Sequence, residues 1–220
     1  AILNADDHRV RRMSAVTEAS CVMFGESADA DVRVTRLVVD ELARPSFVVE
    51  TPWGSADVEL SVSGRHMAHN AAAALACVGV VGGDLAAGAA ALREVGLTAL
   101  RMQIERTASG ALILNDSYNA NPTSMRAAID ALLDLPAKRR VAILGVMAEI
   151  SDADAEHQAI ARYALEREVE LIAIGTDLYG VRASIDIEVD LLTVGADDAV
   201  LVKGSRVAGL ERLAALLLQR

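Results

Sequence analysis

The run NDSYNAN at 115–121 joins an apolar stretch to a helical pattern, and it is rich in short side chains that donate and accept hydrogen bonds. Asn121 has a structural explanation, because asparagine favours the N-cap of a helix and the proline after it suits the first helical position. Asp116, Tyr118 and Asn119 have no such explanation. They could bind a ligand with charged, amide or hydroxyl groups, or they could be turn residues that hydrogen-bond their own backbone.

A second polar motif, KGSR at 203–206, also follows an apolar run. Lys203 and Arg206 could bind a carboxylate or a phosphate through charge-assisted hydrogen bonds, or they could be the solvated start of a helix. Ligands of open parallel sheets bind beyond the carboxyl ends of the strands. If the two apolar runs are strands of one such sheet, both motifs lie at the same edge, which favours a ligand with anionic or amide groups.

The second half of the chain alternates between strand-like and helical or loop-like stretches, and its strand-like runs lie at 111–114, 140–144, 170–174 and 199–202. Continuous apolar runs of this length are typical of strands covered on both faces, and crossover connections make such a sheet parallel. The sequence therefore predicts an α/β, Rossmann-like domain over 108–220. The pattern at 181–198 is poor, so whether it holds a helix stays open.

The sequence before this domain has a different rhythm. Strand-like runs at 1–3 and 21–24 flank a short helical stretch, β-rich runs at 32–62 predict an antiparallel meander, and Ala-rich stretches at 66–95 predict two helices. Periodicity then lapses, so 98–107 is expected to be an interdomain linker. Because the chain has no initiator methionine and opens inside a strand-like run, we expect it to be part of a larger protein.

The net charge of −10, from 31 acidic and 21 basic residues, argues against broad binding to nucleic acid or to anionic membranes. No apolar run reaches the roughly 18 residues of a membrane span, so no membrane insertion is expected. Cys21 and Cys77 are far apart, which predicts free thiols in a reducing, cytoplasmic compartment. His66 and His69 have no third ligand near them in the sequence, so no metal site is predicted there.

Four motifs occur in the order that is found in the Mur ligases: GRHMAHNAAAALA, NDSYNANPTSMRAAID, LGVMAEI followed by a histidine, and VLVKGSR followed by LE. The chain resembles this family over essentially its whole length. The resemblance implies that 1–97 is the C-terminal part of the central ATPase domain, that 98–107 is the linker, and that 108–220 is the complete C-terminal ligase domain with a mostly parallel sheet. The DSYNANP run resembles the members that add D-alanyl-D-alanine to UDP-N-acetylmuramoyl-tripeptide.

For function, the resemblance implies an ATP-dependent amide ligase of peptidoglycan synthesis, and hence a role in cell-wall biogenesis, cell shape and cell division. ATP would phosphorylate the terminal carboxylate of UDP-N-acetylmuramoyl-tripeptide, and Mg²⁺ would neutralise the phosphate charge. The amine of D-alanyl-D-alanine would then attack the acyl phosphate to form the new amide.

The resemblance also implies binding residues, but no catalytic residue. Asn70 would contact the adenine, Asp116 would meet the nucleotide, and Arg101 would reach the ATP phosphates when the domains close. An arginine in a non-periodic linker supports that role independently, although an ordinary exposed arginine would look the same. The residues implied to lie near the incoming dipeptide or its carboxylate are Asp116, Tyr118, Asn119, Lys203 and Arg206.

Three positions bear on how closely the chain follows the family pattern. Met67 stands where the family usually has asparagine, and Val146 stands where it usually has an acid, although Glu149 remains in the same loop. His157 either matches a family histidine or is a plain helix-surface residue.

The sequence contains no G-x-x-x-x-G-K followed by serine or threonine, the motif whose backbone cradles phosphates. We therefore expect the phosphate loop, the chief magnesium ligands and the nucleotide-sugar site to lie upstream of Ala1, and the chain alone to be inactive. Two alternatives stay open. One is another Mur-type or folylpolyglutamate-type ligase with a different acceptor, and the other is a non-catalytic α/β module that binds the dipeptide or adenine.

Overall fold

The computed structural model describes residues 1–96, 98–184 and 193–219. The chain divides into two compact units, Ala1–Gly96 and Leu97–Arg220, and each unit holds a five-stranded sheet. Helices pack on both sheets, so the α/β class predicted from the sequence is confirmed. Within the described ranges, no helix is both long enough and apolar enough to cross a bilayer.

The sheet of the first unit begins with parallel strands and continues as an antiparallel meander. Its strands follow one another across the sheet as β1 (Ile2–Asn4), β2 (Val22–Gly25), β3 (Val32–Val39), β4 (Pro45–Thr51) and β5 (Gly54–Glu59). β1 to β3 pair in parallel, whereas β3 to β5 pair antiparallel within the predicted 32–62 meander. Alternate residues of β4 are buried, which is the pattern of a strand with one face on a core.

Three helices accompany this sheet: α1 (His8–Arg12), α2 (Met67–Val80) and α3 (Leu85–Arg93). Asp84 caps α3, because its carboxylate accepts hydrogen bonds from the amides of the first turn. The buried face of α2 consists mostly of alanine, with Leu75 fully buried, and it packs on β3 and β4. Small side chains on that face allow the helix to lie close to the sheet.

The sheet of the second unit is parallel except at one edge. It consists of β6 (Gln103–Arg106), β7 (Leu112–Asp116), β8 (Arg139–Leu144), β9 (Glu170–Ala173) and β10 (Asp198–Lys203), in the spatial order β6-β7-β10-β8-β9. The α-helices in the described part of this unit are α4 (Pro122–Asp134), α5 (Ala153–Leu165) and α6 (Glu211–Leu218). Successive residues of β7 and β10 are buried, as expected of strands covered on both faces.

Part of the segment 98–107, which is expected to be an interdomain linker, forms the strand β6. β6 pairs antiparallel with β7, from Gln103 opposite Asn115 to Arg106 opposite Leu112. Four residues are too few to show periodicity, and an edge strand is held by backbone hydrogen bonds whatever its side chains. Of the stretch at 181–198 whose pattern is poor, 185–192 lies outside the described residues.

The register of the second sheet brings three strand ends together. Lys203, the last residue of β10, pairs with Asp116 of β7 on one side and with Leu144 of β8 on the other. The loops after these strands therefore start side by side. The predicted start of α4 is confirmed, because Asn121 is its N-cap and forms a capping box with Ser124.

Candidate functional site

The polar centre of this sheet edge is a buried ion pair. The Nζ of Lys203 donates to Asp116 Oδ2 at 2.5 Å and to the carbonyl oxygen of Asn119 at 2.8 Å. Only 1% of the Lys203 side chain is exposed. Burial lowers the pKa of Lys203, and the Asp116 carboxylate opposes that shift. Lys203 thus uses two of its three donors within the chain. Its predicted contact with the dipeptide carboxylate stays a prediction.

The other carboxylate oxygen of Asp116 holds the segment before β6. Its Oδ1 accepts from the Met102 amide at 3.1 Å, and the Tyr118 amide donates to the Leu100 carbonyl oxygen at 3.1 Å. Leu100 and Met102 have φ values of 66° and 47°, a left-handed conformation that is uncommon for such side chains. These hydrogen bonds stabilise the strained backbone on both sides of Arg101.

Tyr118 of the NDSYNAN motif contacts one arginine of the expected linker and one arginine of the KGSR motif. The guanidinium carbon of Arg101 is 4.2 Å from the centre of the Tyr118 ring, and that of Arg206 is 5.5 Å from it. Both arginines are exposed, and Tyr118 is half-buried. The structure thus brings together the residues proposed for the second unit, which are Arg101, Asp116, Tyr118, Lys203 and Arg206. Asn119 joins them through its carbonyl oxygen, which accepts from Lys203.

Ser205 is a site residue that the sequence analysis missed. Its hydroxyl accepts from the Ala148 amide at 2.9 Å, and its own amide donates to the Val146 carbonyl oxygen at 2.9 Å. The side chain therefore ties the loop after β10 to the loop after β8. Its place inside the KGSR motif was the only sequence signal for this role.

Two glycines allow these loops to approach each other. A Cβ atom on Gly145 would lie 2.8 Å from the Ala208 Cβ, and one on Gly204 would lie 3.1 Å from the Gly145 Cα. Distances this short leave no room for a methyl group at Gly145. Space at the edge of the sheet therefore requires the glycine in LGVM, and it leaves only a tight fit for a Cβ atom at the glycine in KGSR.

His157 is fully buried, which corrects the alternative that it is a helix-surface residue. Its Nε2 accepts from the Met147 amide at 2.9 Å, so its Nδ1, 2.6 Å from the Ala153 carbonyl oxygen, carries the proton. The ring of Tyr179 contacts it edge-on, and the Tyr179 hydroxyl donates to the Gly145 carbonyl oxygen at 2.8 Å. The imidazole thus shapes the loop in which Val146 stands.

Asn70 belongs to the first unit, on α2, where its side chain is exposed. Its Nδ2 lies 3.4 Å from the sulfur of Met67, the residue that stands where the family usually has asparagine. A thioether is a weak acceptor, so the Asn70 amide can still hydrogen-bond a ligand such as adenine. Its role as an adenine contact stays a prediction.

The described residues fit an anionic ligand better than they fit a metal ion. Arg101 and Arg206 present exposed guanidinium groups beside Tyr118, as a nucleotide phosphate or a carboxylate requires. By contrast, in the ranges that the structure covers, no three histidine, cysteine, aspartate or glutamate side chains lie close enough together to hold a metal ion.

Comparison with known proteins agrees with this architecture. Residues 1–78 match the Mur ligase middle domain, and residues 100–206 match the Mur ligase glutamate ligase domain. The UDP-N-acetylmuramoyl-tripeptide–D-alanyl-D-alanine ligase of Mycobacterium tuberculosis is 38% identical over 183 residues, which are 80% of this chain and 36% of the relative. The enzyme of the same name from Escherichia coli is 31% identical over 97% of this chain and 50% of its own length.

A solved structure of MurF from Acinetobacter baumannii superposes on the whole chain with a TM-score of 0.85 and 28% identity, and the match covers 51% of that protein. The chain thus spans about a third to a half of the relatives that it matches. Two adjacent family domains, matched in order and supported by the same fold, leave one conclusion. The chain belongs to the Mur ligase family and carries sequence of its middle and C-terminal domains.

Proposed function

We propose that this chain is part of an ATP-dependent ligase that adds D-alanyl-D-alanine to UDP-N-acetylmuramoyl-tripeptide in peptidoglycan synthesis. The observation that carries the proposal is the sheet edge of the second unit, where the DSYNANP and KGSR motifs meet through the Lys203–Asp116 pair. Relatives that carry this activity in their names match the chain over most of its length. The relatives are longer than this chain, so the activity is proposed for the whole protein.

The proposed reaction requires residues that bind anions and residues that hydrogen-bond the substrates. ATP supplies the phosphoryl group that converts the terminal carboxylate of the tripeptide into an acyl phosphate. Negative charge grows on the transferring phosphate and then on the carbonyl oxygen under attack, and guanidinium groups held near it favour both changes. Arg101 is the proposed phosphate contact, Asp116 and Asn70 are the proposed nucleotide contacts, and Tyr118 and Asn119 face the dipeptide.

The proposed domain limits are 1–97 for the end of the central domain, 98–107 for the linker with β6 inside it, and 108–220 for the ligase domain. The phosphate loop, the magnesium ligands and the nucleotide-sugar site are proposed to belong to a part of the protein upstream of Ala1. Two facts support this proposal: the relatives are about twice as long, and these 220 residues contain no phosphate-loop motif. Free Cys21 and Cys77 agree with a cytoplasmic enzyme.

The test compares the 220-residue chain with the product of its complete natural reading frame. The complete product should release ADP only when Mg²⁺, UDP-N-acetylmuramoyl-tripeptide and D-alanyl-D-alanine are all present, and a dipeptide-extended nucleotide should appear by mass spectrometry. The 220-residue chain should release none. Turnover with a single amino acid in place of the dipeptide would show that the protein is another ligase of the superfamily, with a different acceptor. A natural product that starts near Ala1 and does not turn over would leave a binding module.

A further inference from the structure

Two arginines from distant parts of the chain contact one aromatic ring in the second unit. Arg101 and Arg206 approach the Tyr118 ring at 4.2 and 5.5 Å, so their guanidinium carbons lie within about 10 Å of each other, near one Debye length at physiological salt. Cation–π contact with the ring attracts each guanidinium. The two like charges repel each other, and an anion between them would relieve that repulsion.

Neither arginine has an acidic partner in the described part of the chain: no carboxylate oxygen lies within 4.0 Å of their side-chain nitrogens. The nearby Asp116 carboxylate is already bound by Lys203 and by the Met102 amide. Two positive charges therefore face solvent without neutralisation.

The same unit contains a second tyrosine that two arginines contact. Arg126 and Arg167 lie 4.8 and 3.5 Å from the centre of the Tyr163 ring. This cluster has its own acid, because Asp130 accepts from the Tyr163 hydroxyl at 2.6 Å and lies 3.9 Å from the Arg167 Nε. The Tyr163 cluster is thus a self-contained link between α4 and the end of α5, whereas no carboxylate of the described residues pairs with the arginines of the Tyr118 cluster.

The backbone holds both arginines in place before any ligand arrives. Arg101 stands between Leu100 and Met102, whose strained conformations are secured by hydrogen bonds to Tyr118 and Asp116. Residues kept in sparsely populated conformations by their surroundings are concentrated at functional sites. Arg206 follows the buried Ser205, whose amide is bound to the loop after β8.

We propose that Arg101 and Arg206 form one anion-binding site, with Tyr118 as their shared platform, which takes a single phosphate or carboxylate group between the two guanidiniums. The inference rests on the proposed function and sharpens it, because resemblance to the family assigned the two arginines to different ligands. Each guanidinium can donate two parallel hydrogen bonds to such a group, and two of them can grip one anion from both sides.

The test is a titration of the 220-residue chain with inorganic pyrophosphate, followed by NMR of the arginine Nε–Hε signals. Pyrophosphate should shift the signals of Arg101 and Arg206 together, with one Kd. Arg101→Gln and Arg206→Gln should each weaken that Kd about tenfold or more, since each removes a charge-assisted bidentate contact. Arg206→Lys, which keeps the charge and loses the fork, should fall between the wild type and Arg206→Gln.

The matched control is Arg126→Gln, which removes a guanidinium from the Tyr163 cluster and should leave the Kd unchanged. A shift confined to Arg101, an unaltered Kd in Arg206→Gln, or an equal loss in Arg126→Gln would overturn the shared site. Thermal unfolding of each variant identifies any that has lost its fold, and Arg206→Lys then replaces Arg206→Gln in the comparison.

A parallel titration with D-alanyl-D-alanine distinguishes the two sources of the anion. Displacement of pyrophosphate by the dipeptide assigns the site to a peptide carboxylate, and binding of pyrophosphate alone assigns it to a phosphate; both results support the site. None of these readouts needs ligase turnover. A failure of the ligase assay with an intact anion site would therefore refute the proposed function and not the site.

Discussion

Lys203 has a structural role that does not depend on any ligand. Its ammonium group is almost completely buried and supplies the donors for Asp116 and for the Asn119 carbonyl oxygen. Asp116 in turn accepts a hydrogen bond from the Met102 amide, so Lys203 stabilises the backbone next to Arg101 through Asp116. A residue predicted as a ligand contact thus has an evident structural role.

Lys203→Met should lower the free energy of unfolding by about 3 kcal/mol, because it leaves the Asp116 carboxylate partly buried without its counter-ion. Urea denaturation at neutral pH measures the change. The control is Lys138→Met, which breaks an exposed pair with Asp197 and should have little effect, since solvent screens that pair. Equal effects of the two substitutions would contradict the structural role of Lys203.

His157 is the second residue for which a prediction follows from its contacts. His157→Leu removes the acceptor for the Met147 amide and the donor to the Ala153 carbonyl oxygen, and it should destabilise the protein by about 2 kcal/mol. The Met147 amide should also exchange its hydrogen faster. The exposed His8, changed to leucine, is the control and should alter neither quantity; an unchanged Met147 exchange rate in His157→Leu would count against the role.

At the scale of elements, the edge of the second sheet depends on how closely the loops after β8 and β10 approach each other. Ser205 bonds both loops, and Gly145 and Gly204 leave the space that this contact needs. The Asn121 cap at the start of α4 completes the same edge. The polar motifs are therefore positioned by loop packing as much as by the strands.

Gly145→Ala should destabilise the protein by about 1–3 kcal/mol, because its methyl group would meet Ala208 and Leu210 at 3.0 Å or less. Gly96→Ala is the matched control, since nothing lies within 4 Å of a Cβ at that position, and it should be neutral or slightly stabilising. Chemical denaturation gives both values, and the Ala148 amide shift should report moved loops in Gly145→Ala alone. Similar values for the two variants would show that the loops can separate at no cost.

At the scale of the whole molecule, the chain has 31 acidic residues and a net charge of −10. The free energy of unfolding should depend on pH wherever folding changes the pKa of one of these carboxylates. The first unit contains a carboxylate whose protonation should matter. Burial alone would raise the pKa of Asp6, but hydrogen bonds from the Ser27 hydroxyl and from the Glu26 and Ser27 amides, together with nearby His69, lower it below its ordinary value of 3.8. The ionised form of Asp6 is thus stabilised by folding.

A group whose pKa is lower in the folded state stabilises the fold above its ordinary pKa, and that stabilisation is lost as the pH falls through the lowered value. The wild type should therefore have a larger free energy of unfolding than Asp6→Asn, and the difference should be largest at pH 7. It should shrink below about pH 3.8. Urea denaturation from pH 7 to pH 2.5 measures both curves. A pH-independent difference for Asp6→Asn would contradict the assignment.

The sequence by itself determined the α/β class, most strand positions of the second unit, the Asn121 cap and the family. These features depend on local patterns: apolar runs of strand length, cap residues next to a helical pattern, and four motifs in a fixed order. A short motif keeps its identity wherever the chain folds, so a single sequence was enough to identify it.

Only the tertiary structure decided what the polar residues contact. Lys203 reaches Asp116 across 87 positions, and nothing in KGSR distinguishes a buried ammonium from a solvated one. The same holds for His157, for β6 inside the expected linker, and for Arg101 and Arg206, which are neighbours because both contact the Tyr118 ring. Burial and pairing are properties of neighbours in space, and distant segments become neighbours only when β10 inserts between β7 and β8.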